Sequence, residues 1–269
     1  MGIQALYTAA TGMSAMDTKL NVVANNLANV ETVAFKRSRA NFADILYQTL
    51  ERPGLRGGLD APLPTGKQVG VGVQLSSIVL NFEQGAPEIT NGEFDLLIKD
   101  DGFFQVLAFV DGAETALYTR AGNFTLDSEG TIVLDNGIGA VLDPGITVPS
   151  GAHDVSISQT GLVQAILPGS SEFQDIGQIE LARFVNRQGL EQIGDNLYRQ
   201  TDASGEPILG IPSQDGLGSV IQGQLERSNV EPVRELVALI QTQRSFELNS
   251  QSLQSADQTL QTLINMARF

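Results

Sequence analysis

Apolar side chains recur at two different periods along this chain, and the change of period divides it. Near the start, Leu6, Ala9, Met13, Met16, Leu20, Val23, Leu27 and Val30 follow one another at alternating spacings of three and four. That is the 3.5-residue period of a narrow seam on one helix face. Near the end, Leu239, Phe246, Leu253, Leu260 and Ala267 fall seven apart, with Thr242, Asn249, Ala256 and Leu263 in the alternate slot, so the second seam is partly polar. Between the seams the period shortens to two. Runs rich in Val, Ile, Phe and Thr are punctuated by glycine turns, which predicts many short strands in a barrel or sandwich rather than a doubly wound sheet. The clearest runs from Asn123 to Leu134, a predicted hairpin about Asp127-Ser-Glu-Gly130. Further turns are predicted at Asn91-Gly92, Asn136-Gly137, Ser204-Gly205 and Asp215-Gly216.

Glycine and proline sharpen these boundaries. Of 28 glycines 26 lie in residues 51–223, with nine of the ten prolines, so long helices are permitted at both ends. The second helix is predicted to begin near residue 230, with Ser228 or Asn229 as N-cap, Glu231 in the first turn and Pro232 early in the helix. The stretch from Tyr47 to Gly66, which includes Pro53, Gly54, Pro62 and Pro64, reads as an extended linker. The expected fold is α+β: long N- and C-terminal helices pair as a coiled coil, with a mainly antiparallel β domain inserted between them. Residues 1–36 with 226–269 form the helical part, 37–66 the linker region and 67–225 the β-rich outer domain.

Charge follows the same division. The formal charge is −15, and all of it lies in residues 51–223, because the two ends sum to zero. So large an acidic excess argues against nucleic acid and anionic membrane surfaces as partners. No apolar run approaches the roughly 20 residues of a membrane helix, and the N-terminus shows no cationic, signal-like region.

Candidate chemistry is sparse. With no cysteine there is no thiol nucleophile or thiolate metal site, and the one histidine, His153, has no nucleophile motif beside it. Asp100-Asp101-Gly102 and Asp127-Ser-Glu-Gly130 lack the spacing of a calcium loop. Gly70-Val-Gly72 and Gly137-Ile-Gly139 lack the third glycine of a dinucleotide fingerprint, with Leu75 and Leu142 in its place. Neither an enzyme nor a cofactor or metal site is predicted. What does ask for an explanation is the set of neutral amides on the helices: Asn21, Asn25, Asn26, Asn29, Asn249 and a run of glutamines from Gln241 to Gln261. Amides can hydrogen-bond across a face between copies of a chain without burying charge.

Several motifs then converge. Val22-Val-Ala-Asn-Asn-Leu-Ala-Asn-Val30 with Thr32-Val-Ala-Phe-Lys-Arg37, Asp101-Gly-Phe-Phe-Gln-Val106, Tyr118-Thr-Arg-Ala-Gly-Asn-Phe-Thr-Leu-Asp127, and Gly223-Gln-Leu-Glu-Arg-Ser-Asn-Val230 with Gln243-Arg-Ser-Phe-Glu-Leu-Asn249 together resemble the bacterial flagellar axial proteins of rod and hook. The stretch Ala40 to Leu50 and the linker after it, which hook proteins usually lack, bring the likeness nearest to members that build the distal rod. The resemblance implies a non-catalytic subunit, exported through the flagellar type III apparatus without a cleaved signal, that polymerises helically into a hollow driveshaft in the periplasm. Its implied neighbours are further copies, proximal rod proteins, the hook or its junction, and the peptidoglycan and outer-membrane bushing rings.

Assembly and helix packing would fall to Leu6, Met13, Met16, Leu20, Val23, Asn25, Asn26, Leu27, Asn29 and Val30, with Leu239, Phe246, Asn249, Leu253, Leu260 and Leu263 on the second helix. The family motif would include Phe35, Lys36, Gly102, Phe103, Phe104, Ser228, Asn229, Val230, Gln243 and Arg244. The linker at Tyr47, Pro53, Gly54, Pro62 and Pro64 would stiffen the tube. Where the family usually has glycine before Phe-Lys, this chain has Ala34. Either the first helix continues past it or the chain turns at a neighbour. The alternatives are another rod or hook-type axial protein and, in a different class, a secreted adhesin or enzyme with coiled-coil ends.

Overall fold

The ends poor in glycine and proline form two long helices, α1 (Gly2–Ala28) and α2 (Pro232–Met266). The computed structural model describes residues 2–51, 66–110, 112–169 and 172–266. Pro53, Gly54, Pro62, Pro64 and Ala267, and the side chain of Leu263, lie outside the described residues. The chain divides into two compact units, a helical one made of Met1–Ala28, Ser38–Leu80 and Glu231–Phe269 and a β unit made of Asn29–Arg37 and Asn81–Val230.

In the helical unit α1 and α2 pack side by side in opposite directions. Asn26 Nδ2 lies 3.3 Å from Glu235 Oε2, and the position a Cβ would take on Gly12 is 3.1 Å from Asn249 Nδ2. Between those two contacts α1 retreats fourteen residues while α2 advances fourteen, so both helices keep one register over four turns. Gly12 lets the Asn249 amide approach this closely. Every member of the first seam within α1 is turned inward: Ala9 and Val23 are buried, and Leu6, Met13, Met16, Leu20 and Leu27 are half-buried. On α2 Thr242 is buried, Leu239, Asn249, Leu253, Ala256 and Leu260 are half-buried, and Phe246 is exposed.

Three expectations need correction here. Because α1 ends at Ala28, Asn29 and Val30 fall beyond the helix. The cap of α2 is Glu231, whose carbonyl accepts the first helical bond from Glu235 N–H, with Pro232 at the first helical position. Ser228 and Asn229 are withdrawn from capping by other bonds. The third correction concerns the linker region, whose first half is strand. β1 (Ser38–Asp44) pairs with β4 (Val73–Leu80), and β2 (Gln48–Glu51) with β3 (Lys67–Val69), both antiparallel. A strand needs a partner to satisfy its backbone, and β4 is too far along the chain for local composition to reveal it.

The β unit is antiparallel throughout its named strands. β5 (Pro87–Ile89) pairs with Gln224–Glu226, and β6 (Leu96–Lys99) with Ser219–Gln222. β7 (Phe103–Val110) runs through a nine-stranded sheet, beside β8 (Ala113–Thr119) and against Val141–Leu142 and Leu181–Arg183. The predicted hairpin is present as β9 (Phe124–Leu126) and β10 (Ile132–Leu134), closed by Gly130 at φ 81°. A separate three-stranded meander follows, beginning with His153–Ile157.

Alternation on β7 sends Phe103 and Phe104 to opposite faces, and both are buried. Phe103 meets Phe82, Phe184 and Tyr198 edge-on at 5.5–6.0 Å, and Phe104 meets Phe124 at 5.1 Å. Gly102 supplies the φ of 152° that starts this strand. The acidic pairs and glycine pairs singled out earlier serve as turns and close contacts. Asp101 bridges Arg187, and Gly72 sits where a Cβ would strike Thr11 Oγ1 at 2.3 Å. His153 is exposed on a strand.

Candidate functional site

Two arrangements stand out, one in each unit. On α2 the residues Val233, Leu236, Val237 and Ile240 occupy positions i, i+3, i+4 and i+7, one continuous apolar stripe. At 100° per residue this stripe lies across the helix from Glu235 and Thr242, which are buried on the opposite side. The four side chains are 46–73% exposed. Among the described residues the stripe stays largely uncovered, so α2 has two working faces, one spent on α1 and one open. The strands β1 to β4 and the turn between the first two add more uncovered apolar surface: Leu46, Tyr47, Leu50, Leu75 and Ile78. A two-stranded ribbon is marginal by itself, so such residues gain most from burial against another chain. Gln243 and Arg244 are also exposed on α2.

Asn26 is different. It is buried, exchanging hydrogen bonds with the backbone of Ser38 in both directions at 2.9 Å, besides its contact with Glu235. That amide is spent on holding β1 against α1.

In the β unit three distant segments meet at a buried charge cluster. Glu226 Oε1 accepts from Lys36 Nζ at 2.5 Å and from Gly85 N–H at 2.8 Å, and Oε2 accepts from Arg120 Nε at 2.9 Å. The Glu226 and Lys36 side chains have no exposed surface, and Arg120 has almost none. Lys36 also donates to the Glu83 carbonyl, and Arg120 to the carbonyls of Gly102, Ile98 and Asp100. Two cations thus share one anion, with backbone oxygens making up the deficit. Lys36 belongs to one motif, and its partners Arg120 and Glu226 lie in two others, where nothing local marks them as its partners.

Ala34 belongs to this cluster as well. It takes φ 55° itself, is buried, and donates its N–H to the Glu226 carbonyl at 2.7 Å. Both expectations for it are therefore corrected: the helix has already ended, and the left-handed turn falls on Ala34 rather than on a neighbour. The strain is about 1–2 kcal/mol, and the smallest side chain with a Cβ carries it because bonds on either side fix the backbone. Nearby, Asn229 accepts from Arg37 N–H at 2.8 Å and donates to the carbonyls of Asn81 and Glu83. Ser228 Oγ accepts from Val230 N–H, and Phe35 and Val230 are buried.

Burial pushes the Lys36 ammonium down to about 8 from the ordinary 10.5, against the pull of Glu226, with Arg120 pushing further down. The unfolded chain keeps that proton to 10.5, so between pH 8 and 10 it binds more protons than the folded chain and stability rises with pH. Tyr198 acts oppositely. Burial raises its hydroxyl to about 12, so the folded chain keeps a proton that the unfolded chain releases above pH 10, and stability then falls. Urea denaturation followed by circular dichroism should show stability rising from pH 8 to 10, at no more than roughly 1.4 kcal/mol per pH unit. A steady decline over that window would contradict the reading.

No group of three His, Asp or Glu among the described residues could hold a metal ion. No described helix is long and apolar enough to cross a membrane. The two arrangements are suited to packing and holding.

Known proteins point the same way. Models of three families match the chain: flagella basal body rod protein over residues 6–36, the flagellar hook protein FlgE/F/G D1 domain over 97–165, and the flagellar basal body rod FlgEFG protein C-terminal over 221–266. Lys36, Arg120 and Glu226 fall one in each matched segment. These matches define a flagellar axial protein of the rod and hook class. FlgG, the flagellar basal-body rod protein of Caulobacter vibrioides, is 47% identical over 96% of this chain and 97% of its own length. That of Borreliella burgdorferi is 40% identical over 99% of each. The rod protein FlgF of Caulobacter vibrioides is 34% identical over 90% of this chain and 89% of its own. The chain belongs to the FlgG family of flagellar basal-body rod proteins.

Proposed function

We propose that this chain is a structural subunit of the flagellar distal rod, assembling helically with further copies into the hollow shaft that carries torque from the proximal rod to the hook. The uncovered stripe on α2 carries the reading, because an apolar face of that length has a use only when another chain covers it. In the polymer α1 and α2 form an antiparallel coiled coil lining the channel, and the stripe packs on a neighbouring copy. The acidic β unit faces outward, toward the bushing rings of peptidoglycan and outer membrane. No catalytic role is assigned. The chain reaches the periplasm through the flagellar type III apparatus without a cleaved signal and meets proximal rod proteins below and the hook or its junction above.

The segment from Tyr47 through Pro53, Gly54, Pro62 and Pro64, wedged between copies, stiffens the tube. Deleting residues 52–62 and imaging the rods tests this, and rods that stay straight and stiff would sink it. The central experiment is electron microscopy of purified basal bodies carrying a tagged copy. Label confined to the thick distal part of the rod supports the reading, while label in the proximal rod or the hook assigns the chain to another axial protein. Label nowhere on the basal body would favour a secreted adhesin.

A further inference from the structure

The chain crosses between the β unit and the helical unit at four places, after residues 28, 37, 80 and 230. Three of these crossings are rooted in one small region of the β unit. The segments are 34–37, 81–86 and 226–229, and they are laced to one another by backbone bonds: Asn81 N–H to the Arg37 carbonyl, Ala34 N–H to that of Glu226, and Arg227 N–H to that of Ala86, at 2.7–3.0 Å. Side chains add a second layer. Asn229 ties all three segments through Arg37, Asn81 and Glu83, and Glu226 ties them again through Lys36 and Gly85. Gly85 has no room for a side chain there, since a Cβ would lie 1.8 Å from the Arg227 carbonyl oxygen.

We propose that this lacing is a force-bearing clamp. Bonds that hold separate segments at one level are loaded together, so a pull on any one segment is shared by all of them. Bonds loaded in succession open one at a time at lower force. Ordinary folding stability does not require three exits from a unit to be tied at one point. A subunit whose two parts must turn together does gain from it, since load carried along the chain from one unit to the other reaches the β unit at its exits. The inference rests on the proposed role in a torque-carrying shaft, but the clamp can be tested without that role.

The test is constant-force unfolding of the full chain, a rate-governed process. The native chain has no cysteine, so handles are attached through Glu114→Cys in the β unit and Glu231→Cys just beyond the clamp. Asn229→Ala removes the three side-chain bonds that join the segments. Gln222→Ala is the matched comparison. It also removes three side-chain bonds, to Ile157, Glu93 and Val155, which lie outside the clamp.

The expected result is an unfolding rate under load at least tenfold faster for Asn229→Ala than for Gln222→Ala, with the two within about threefold of each other without load. Asn229→Asp keeps the bond from Arg37 but turns a carboxylate oxygen toward the Asn81 and Glu83 carbonyls, so under load it should unfold at least as fast as Asn229→Ala; Asn229→Ser, small and polar, serves if Asn229→Ala does not fold. Equal rates under load for the position-229 variants and Gln222→Ala would overturn the clamp. Such a result would leave the rod assignment untouched, which only the location of the chain in the basal body can refute.

Discussion

Glu226→Gln costs the β unit about 3–5 kcal/mol, the expected loss when one partner of a buried ion cluster is removed. Gln keeps the size and an acceptor oxygen but leaves Lys36 and Arg120 buried with no anion. Against a typical stability of roughly 5–15 kcal/mol, a loss of that size places the unit near its threshold. The variant should also depend on pH more steeply than the native chain. Without Glu226 the Lys36 ammonium has lost the charge that favours it, so raising pH should relieve the variant by neutralising Lys36. Denaturation midpoints of Glu226→Gln and the native chain at pH 7 and pH 9.5 check both points. A loss under about 1 kcal/mol at pH 7 would mean that the backbone carbonyls around Lys36 and Arg120 stabilise the cations unaided.

The second large effect is on assembly. Val237→Glu with Ile240→Glu puts two carboxylates on the open stripe of α2, where both native side chains are about half exposed. The monomer should change by no more than about 0.5 kcal/mol per site, the usual range for surface substitutions. In the polymer each carboxylate would be buried without a partner, at a cost of several kcal/mol per ion. Rods should therefore be absent, although thermal unfolding of the purified subunit is nearly unchanged. Electron microscopy of cell envelopes and swimming assays read the first result, and calorimetry reads the second. Normal rods in this variant would show that the stripe does not form a contact between copies.

These two sites were not equally legible in the sequence. The α1 seam follows from a local period, and every member within the helix is turned inward as that period requires. The α2 stripe has an equally local signal, the i, i+3, i+4, i+7 set at Val233, Leu236, Val237 and Ile240, but it lies on a different face from the seven-residue seam and is not part of that period. The charge cluster has no local signal. Lys36 and Glu226 are 190 positions apart, and nothing in either neighbourhood marks a cation or an anion as buried. The three motifs are legible one by one, and only the fold shows that they are parts of one contact. The pairing of β1 with β4 escaped for the same reason, and Ala34 because a left-handed alanine is fixed by what surrounds it rather than by its own preference.

The wide spacing of the cluster along the chain also orders events in time. A polypeptide is made amino end first, so Lys36 and Arg120 are present long before Glu226. Closing the core in that interval would strand two cations in an apolar interior, so the early part of the β unit gains little by settling. Its anion arrives with the final strand, together with the partners of β5 and β6. Burying the ions therefore ties closure of the β unit's core to the arrival of its last strands, so the unit closes as a whole rather than piece by piece.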